Sequence, residues 1–154
     1  MTIDVYGIPV AQGSMRGFVV RGGKYGPGGG HAHAVVTHAN PQGLGAWRQS
    51  VAAAAMALNA APLQGPVLVH ATFWLPRPKS RAKRHLWPDT RPDLDKLARA
   101  VLDALTGIAW ANDAAIVDLH AQKAYALPTR PPGVSVTWEP QSSPGRSHMH
   151  DCLQ

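Results

Sequence analysis

Arg91-Pro92-Asp93-Leu94-Asp95-Lys96-Leu97-Ala98-Arg99-Ala100-Val101-Leu102-Asp103-Ala104-Leu105-Thr106-Gly107 is the stretch of this 154-residue chain that decides its fold. Apolar side chains recur there at Leu94, Leu97, Ala98, Val101, Leu102 and Leu105. The spacing predicts an amphipathic helix over 93–106 with one face turned to a core. Gly107 is the residue that ends it. Asp93 stands at the N-cap position and Asp95 in the first turn, where carboxylates satisfy free amides and suit the helix dipole. Capping accounts for one aspartate. It accounts less well for two that bracket a single leucine.

Upstream, Val67 to Leu75 reads as a strand, with Val67, Val69, Ala71, Phe73 and Leu75 on one face. Between strand and helix lies a basic segment, Arg77, Lys79, Arg81, Lys83, Arg84 and His85, punctuated by Pro76, Pro78 and Pro88. The prolines predict an extended loop. Downstream, the turn signal Trp110-Ala111-Asn112-Asp113 leads to a strand at about 115–126, and another follows at 134–138. Nearer the N-terminus, strands are expected at 3–10, 15–20 and 34–38. Asn40-Pro41 signals a helix start. The alanine-rich helix runs over about 44–60, burying Trp47, Val51, Ala54, Ala55 and Leu58. The fold class is α/β (α+β): a mixed sheet flanked by two main helices. One domain covers 1–140, and residues 141–154 have the composition of a disordered tail.

The chain carries 15 Lys and Arg against 9 Asp and Glu, a net charge of +6. Six of those nine acids (Asp89, Asp93, Asp95, Asp103, Asp113 and Asp118) fall within residues 89–118. Gathered carboxylates suit a hard divalent cation such as Mg²⁺. The basic remainder suits a polyanion. A lone cysteine, Cys152, excludes an intramolecular disulfide. No apolar run reaches the ~18–20 residues that span a bilayer. The first residues lack the pattern of a secretory signal, so a cytoplasmic location with no membrane partner is expected.

A helix of about fourteen residues is ~21 Å long. Asp113 would meet Asp93 and Asp95 only if residues 107–113 run back along that helix, which ~3.3 Å per residue just allows. The alternative is that Asp113 comes from a second subunit. Other signals are weaker. Gly22 to Gly30 is glycine-rich but lacks the Gly-Lys-Ser/Thr ending of a phosphate loop. His31-Ala32-His33 with His38 has no zinc-ligand spacing. Asp118 and His120 share a strand face and read as a structural pair. Asp103 reads as a helix–loop contact. Of the tryptophans, Trp87 is the one placed to meet DNA, because it sits in the basic loop.

Several runs resemble one family. Arg91 to Leu97, Val101-Leu102-Asp103-Ala104-Leu105-Thr106-Gly107, Ala109-Trp110, Asn112-Asp113-Ala114 and Lys123-Ala124-Tyr125 look like the RusA family of Holliday junction resolvases. Tyr6 to Ser14 and Arg77-Pro78-Lys79-Ser80 are similar to the same family. The resemblance implies a symmetric homodimer in a bacterial or phage-infected cell. It would cut four-way DNA junctions by paired nicks with Mg²⁺, or Mn²⁺ in its place. It implies metal ligands at Asp93, Asp95 and Asp113. The family's catalytic lysine falls on Arg99, which keeps the charge but does not give up a proton. Arg77, Lys79, Arg81, Lys83, Arg84, Arg91 and Lys96 are the expected DNA contacts. Two alternatives stay open: a non-catalytic DNA-binding phage or regulatory protein, and a general Mg²⁺ nuclease of flaps or forks.

Overall fold

The computed structural model describes residues 1–13, 16–20, 33–37 and 41–142. The elements are β1 (Thr2–Tyr6), β2 (Arg16–Val20), β3 (His33–Thr37), α1 (Pro41–Met56), β4 (Val67–Leu75), α2 (Leu94–Leu105), a 3-10 turn (Asp113–Ala115), β5 (Ile116–Tyr125) and β6 (Gly133–Pro140). Four strands form one sheet in the order β1-β6-β4-β5, while β2 and β3 pair separately. β5 runs parallel to β4, and the other contacts in the large sheet are antiparallel. A parallel pair needs a crossover, and α2 is that crossover.

The alternation of β4 does what its sequence predicts. Val67, Val69, Ala71, Phe73 and Leu75 are all buried. They join Val134, Val136 and Trp138 of β6 and Ile3 and Val5 of β1 in one core. Over that face lie α1, through Trp47, Val51 and Ala55, and α2, through Leu97, Val101 and Leu105. Trp110 and Trp138 meet edge to face, with ring centroids 6.4 Å apart. The opposite face is polar. Asp4, Arg130 and Ser135 are joined by hydrogen bonds, and the Arg130 guanidinium lies 4.9 Å from the Trp74 ring. The two helices thus pack against each other and cover one side of the sheet rather than flanking it.

Three boundaries differ from the sequence reading by three residues or more. β1 stops at Tyr6 because Gly7, with φ of 133°, turns the chain out of the sheet. α1 begins at Pro41 and ends at Met56, and Asn59 at φ 50° takes the chain away. Leu58 is therefore 41 % exposed and not part of the helix's buried face. The glycine-rich segment, His31, His38 and residues from 143 onward lie outside the described residues.

Gly133 pairs with Tyr6 of β1 and Trp74 of β4. A Cβ there would stand 2.2 Å from the Val5 carbonyl oxygen, which is backbone and cannot swing away. Gly133→Ala is expected to destabilise the fold by about 1–3 kcal/mol, the usual scale of overpacking. Urea unfolding of the two proteins measures it, and equal midpoints would contradict this packing.

Candidate active site

α2 begins where β4 and the basic loop deliver it. Asp93 is its N-cap, with extended φ and ψ of −71° and 139°, yet its side chain makes no capping hydrogen bond. The capping role open to this residue is not used. Its Oδ2 instead accepts from Lys96 Nζ at 2.9 Å. The Asp93 carboxyl is held below the usual carboxylate range, first by that hydrogen bond and then by the Lys96 charge. A smaller burial penalty opposes this, and the charges of Arg91 and Lys123 add to it. Asp95 is exposed, one residue into the helix. Among the described residues it has neither an ion pair nor a side-chain hydrogen bond. Arg99, also exposed, follows Asp95 by four residues and so lies on the same side of the helix.

The segment leading into the site is pinned from the sheet. Lys123 of β5 donates to the carbonyl oxygens of Thr90 at 2.9 Å and Pro92 at 3.0 Å. It is half-buried on the inner face of β5, in register with Phe73. Sequence reading passed over this role, although a lysine in phase with Ala121 and Tyr125 needs a partner on the covered face. Gln12, the one buried polar side chain among the described residues, ties the N-terminal segment to the same helix. Its backbone N–H donates to the Lys96 carbonyl at 3.0 Å, and its side-chain Oε1 accepts from Arg48 at 2.6 Å. Arg48 also pairs with Asp103, so Asp103 joins α1 to α2.

Asp113 lies elsewhere. Its Oδ1 accepts from the Trp110 indole at 2.9 Å and from the Thr106 hydroxyl. Thr106 is the C-cap of α2, so Asp113 sits at the far end of the helix from Asp93. Residues 107–113 do not run back along α2. Gly107, at φ 80°, turns the chain, and its amide donates to the Trp110 carbonyl at 2.7 Å. Twelve helical residues at ~1.5 Å each separate the two ends by roughly 18 Å. Among the described residues of one chain, no three of His, Cys, Asp and Glu come together.

The basic loop divides in two. Arg77 is spent on structure: it donates to the His85 carbonyl at 2.9 Å and stacks 4.0 Å over the Tyr125 ring. Arg81 pairs with Asp89. Lys79, Lys83, Arg84 and Arg91 are exposed, and Trp87 beside them is 63 % exposed. A cleft of about 140 Å³ opens next to Asp93, lined by Ile8, Pro78, Pro88, Arg91 and Pro92 among others. His70 and His120 stack on the outer face of the sheet with ring centroids 5.3 Å apart, away from these groups. Hard oxygen donors that neither cap their helix nor are fully paired fit a divalent cation. Asp93 and Asp95 supply two such groups.

The chain matches the family model of the endodeoxyribonuclease RusA over residues 26–138 and belongs to that family. It is also similar to an uncharacterized protein of Bacillus subtilis strain 168, YqaN. The two are 32% identical over 133 residues, covering 79% of this chain and 85% of that protein.

The Lys96 contact gives a direct check on the electrostatics of Asp93. Lys96→Met removes both leading causes of the depressed pKa, so the carboxyl should titrate at a higher pH, nearer the ordinary range. Carbon-detected NMR titration of the Asp93 side chain in both proteins reads this shift. An unchanged titration would mean that Lys96 does not hold the carboxylate.

Proposed function

We propose that this RusA-family endodeoxyribonuclease resolves four-way DNA junctions as a homodimer with Mg²⁺ as its metal. One observation carries the reading: Asp93 occupies a helix N-cap without capping, and Asp95 beside it is unpaired among the described residues. Carboxylates kept off the helix amides and in solvent are kept for something else.

Hydrolysis of a phosphodiester requires a water nucleophile, in-line geometry and neutralised phosphate charge, which a carboxylate-held divalent cation provides. In this reading Asp93 and Asp95 of one subunit would hold the ion, with Asp113 of the second subunit as the third ligand, because within one chain Asp113 lies at the far end of α2. Lys96 holds the Asp93 carboxylate in the absence of the ion, and its ammonium would give way to the cation. Arg99 clamps the phosphate and stabilises charge developing in the transition state. It does not act as a proton donor or acceptor, because a guanidinium does not deprotonate in this pH range. Lys79, Lys83, Arg84 and Arg91 bind backbone phosphates, which supplies affinity without sequence reading. Arg77 and Arg81 act behind them by fixing the loop. Lys123 sets the height of the Thr90–Pro92 segment and so aims Asp93.

The test uses purified protein with a synthetic four-way junction, a fork and a linear duplex, each with and without Mg²⁺. Paired nicks in the junction alone, requiring Mg²⁺, are expected. Asp95→Asn should lower nicking by at least about 10²-fold, the scale of losing one electrostatic group of an active site. It should leave salt-sensitive junction binding intact. Full Mg²⁺-dependent cleavage by Asp95→Asn would sink the mechanism. Equal cutting of the fork would move the substrate class to branched DNA in general.

A further inference from the structure

We infer that Leu86 and Trp87 form a stacking platform for an unstacked base at the branch point of a DNA junction, beside the phosphate-binding Lys83 and Arg84. This rests on the nuclease reading above only for DNA as the ligand. It adds the means by which branched DNA is told from duplex.

Trp87 stands apart from the other four tryptophans. Trp47, Trp110 and Trp138 are buried in the core, and Trp74 has the Arg130 guanidinium over its ring. Trp87 is 63 % exposed, and Leu86 beside it is 70 % exposed. Neither belongs to the hydrophobic core. A lone apolar side chain at a surface needs no explanation. Two in succession, set among cations on a braced loop, do need one. With Arg84, His85 and Asp89 they line an open hollow of about 300 Å³. Asp89, the acid of that hollow, is matched by Arg81. Lys79, Lys83, Arg84 and Arg91 are exposed, and among the described residues no carboxylate pairs with them. The hollow therefore combines unspent positive charge with an apolar face and an open indole. A polyanion that also offers a flat ring is a nucleic acid with a base laid bare.

The loop holds this face outward. Pro88, next to Trp87, is buried. The Asp89 N–H donates to the Trp87 carbonyl at 3.0 Å, and the His85 N–H donates to the Ala82 carbonyl at 3.1 Å. Arg77 donates to the His85 carbonyl at 2.9 Å. Further along, Lys123 fixes Thr90 and Pro92. The platform and Asp93 thus belong to one braced segment. The six residues between them span at most ~22 Å, and one DNA strand rises ~3.4 Å per nucleotide. A base stacked on Trp87 lies within about six nucleotides of a phosphate at Asp93.

The selectivity comes from what stacking requires. In an intact duplex every base already has neighbours on both faces, and offering one to the indole means unstacking it. At a branch point the strands part, continuity of the stack is lost, and that cost is smaller. Any base can respond, because each has a π-face. The platform therefore favours a branch without reading sequence, while the loop cations act on junction and duplex alike.

Binding measured without Mg²⁺, so that no strand is cut, tests this. Wild type, Trp87→Ala, Trp87→Phe and Arg84→Ala are titrated against a synthetic four-way junction and a linear duplex over a range of salt. Trp87→Ala should weaken junction binding about 5- to 150-fold, the gain from stacking one base, and leave duplex binding and the salt slope unchanged. Trp87→Phe should keep most of the preference for the junction. Arg84→Ala should weaken both DNAs equally and lower the salt slope by about one. A junction carrying 2-aminopurine beside the crossover reads the contact directly: wild type should quench its fluorescence and Trp87→Ala should not. Equal weakening of junction and duplex by Trp87→Ala, or quenching that survives it, overturns the inference. So does a smaller mass for Trp87→Ala in light scattering, which would place the patch between two copies of the chain. Mg²⁺-dependent junction nicking by a protein whose binding is indifferent to Trp87 keeps the nuclease reading and overturns the platform. Junction preference that depends on Trp87, in a protein that cuts nothing with Mg²⁺, keeps the platform and overturns the nuclease reading.

Discussion

The parallel pairing of β4 with β5 is the constraint on which the rest of the molecule depends. Neighbouring parallel strands cannot be joined by a hairpin, so the chain must return from the end of Leu75 to the start of Ile116. α2 makes that return. Its apolar face, Leu97, Val101 and Leu105, is buried against the core, which fixes its direction along the sheet. Everything chemical follows from where its two ends fall. The N-terminus, with Asp93 and Asp95, stands where β4 finishes. The C-terminus, with Thr106 and the Asp113 that it holds, stands where β5 starts.

Much of this was legible because burial writes itself into period. The alternation from Val67 to Leu75 gave the strand with its boundaries, and the helical spacing after Asp93 gave α2 to within a residue. The end of α1 was not legible, since Ala57, Leu58 and Ala60 are good helix formers whose exclusion depends on Asn59 adopting a positive φ. The family resemblance was carried by local motifs, and the family match over 26–138 agrees with it. The placement of Asp113 was not legible at all. Chain length allowed residues 107–113 either to retrace α2 or to turn away. The choice was made by the Gly107–Trp110 turn and the burial of Trp110, which are tertiary facts.

Charge is distributed so that the site is held without being closed. Four anchoring contacts are made by residues already engaged within the chain: Arg48 on Asp103, Arg77 on Tyr125, Arg81 on Asp89 and Lys123 on Thr90 and Pro92. Between them they fix the helix, the loop and the segment that carries Asp93. Asp95, Arg99 and the exposed loop cations are left uncommitted, facing solvent. Exposed ion pairs contribute little to stability, so the Lys96–Asp93 pair adds little to the fold; under the proposed function it prepares a ligand that a cation of higher charge would take over.

The central claim is that one divalent ion binds carboxylates from both ends of α2 through a dimer. Paramagnetic broadening by Mn²⁺, added in trace amount to uniformly ¹⁵N-labelled protein, reads it directly. The account predicts that the backbone amides of residues 93–96 and of 112–114 broaden together, at the same Mn²⁺ concentration and to a similar degree. Broadening confined to 93–96, with 112–114 untouched, would contradict it.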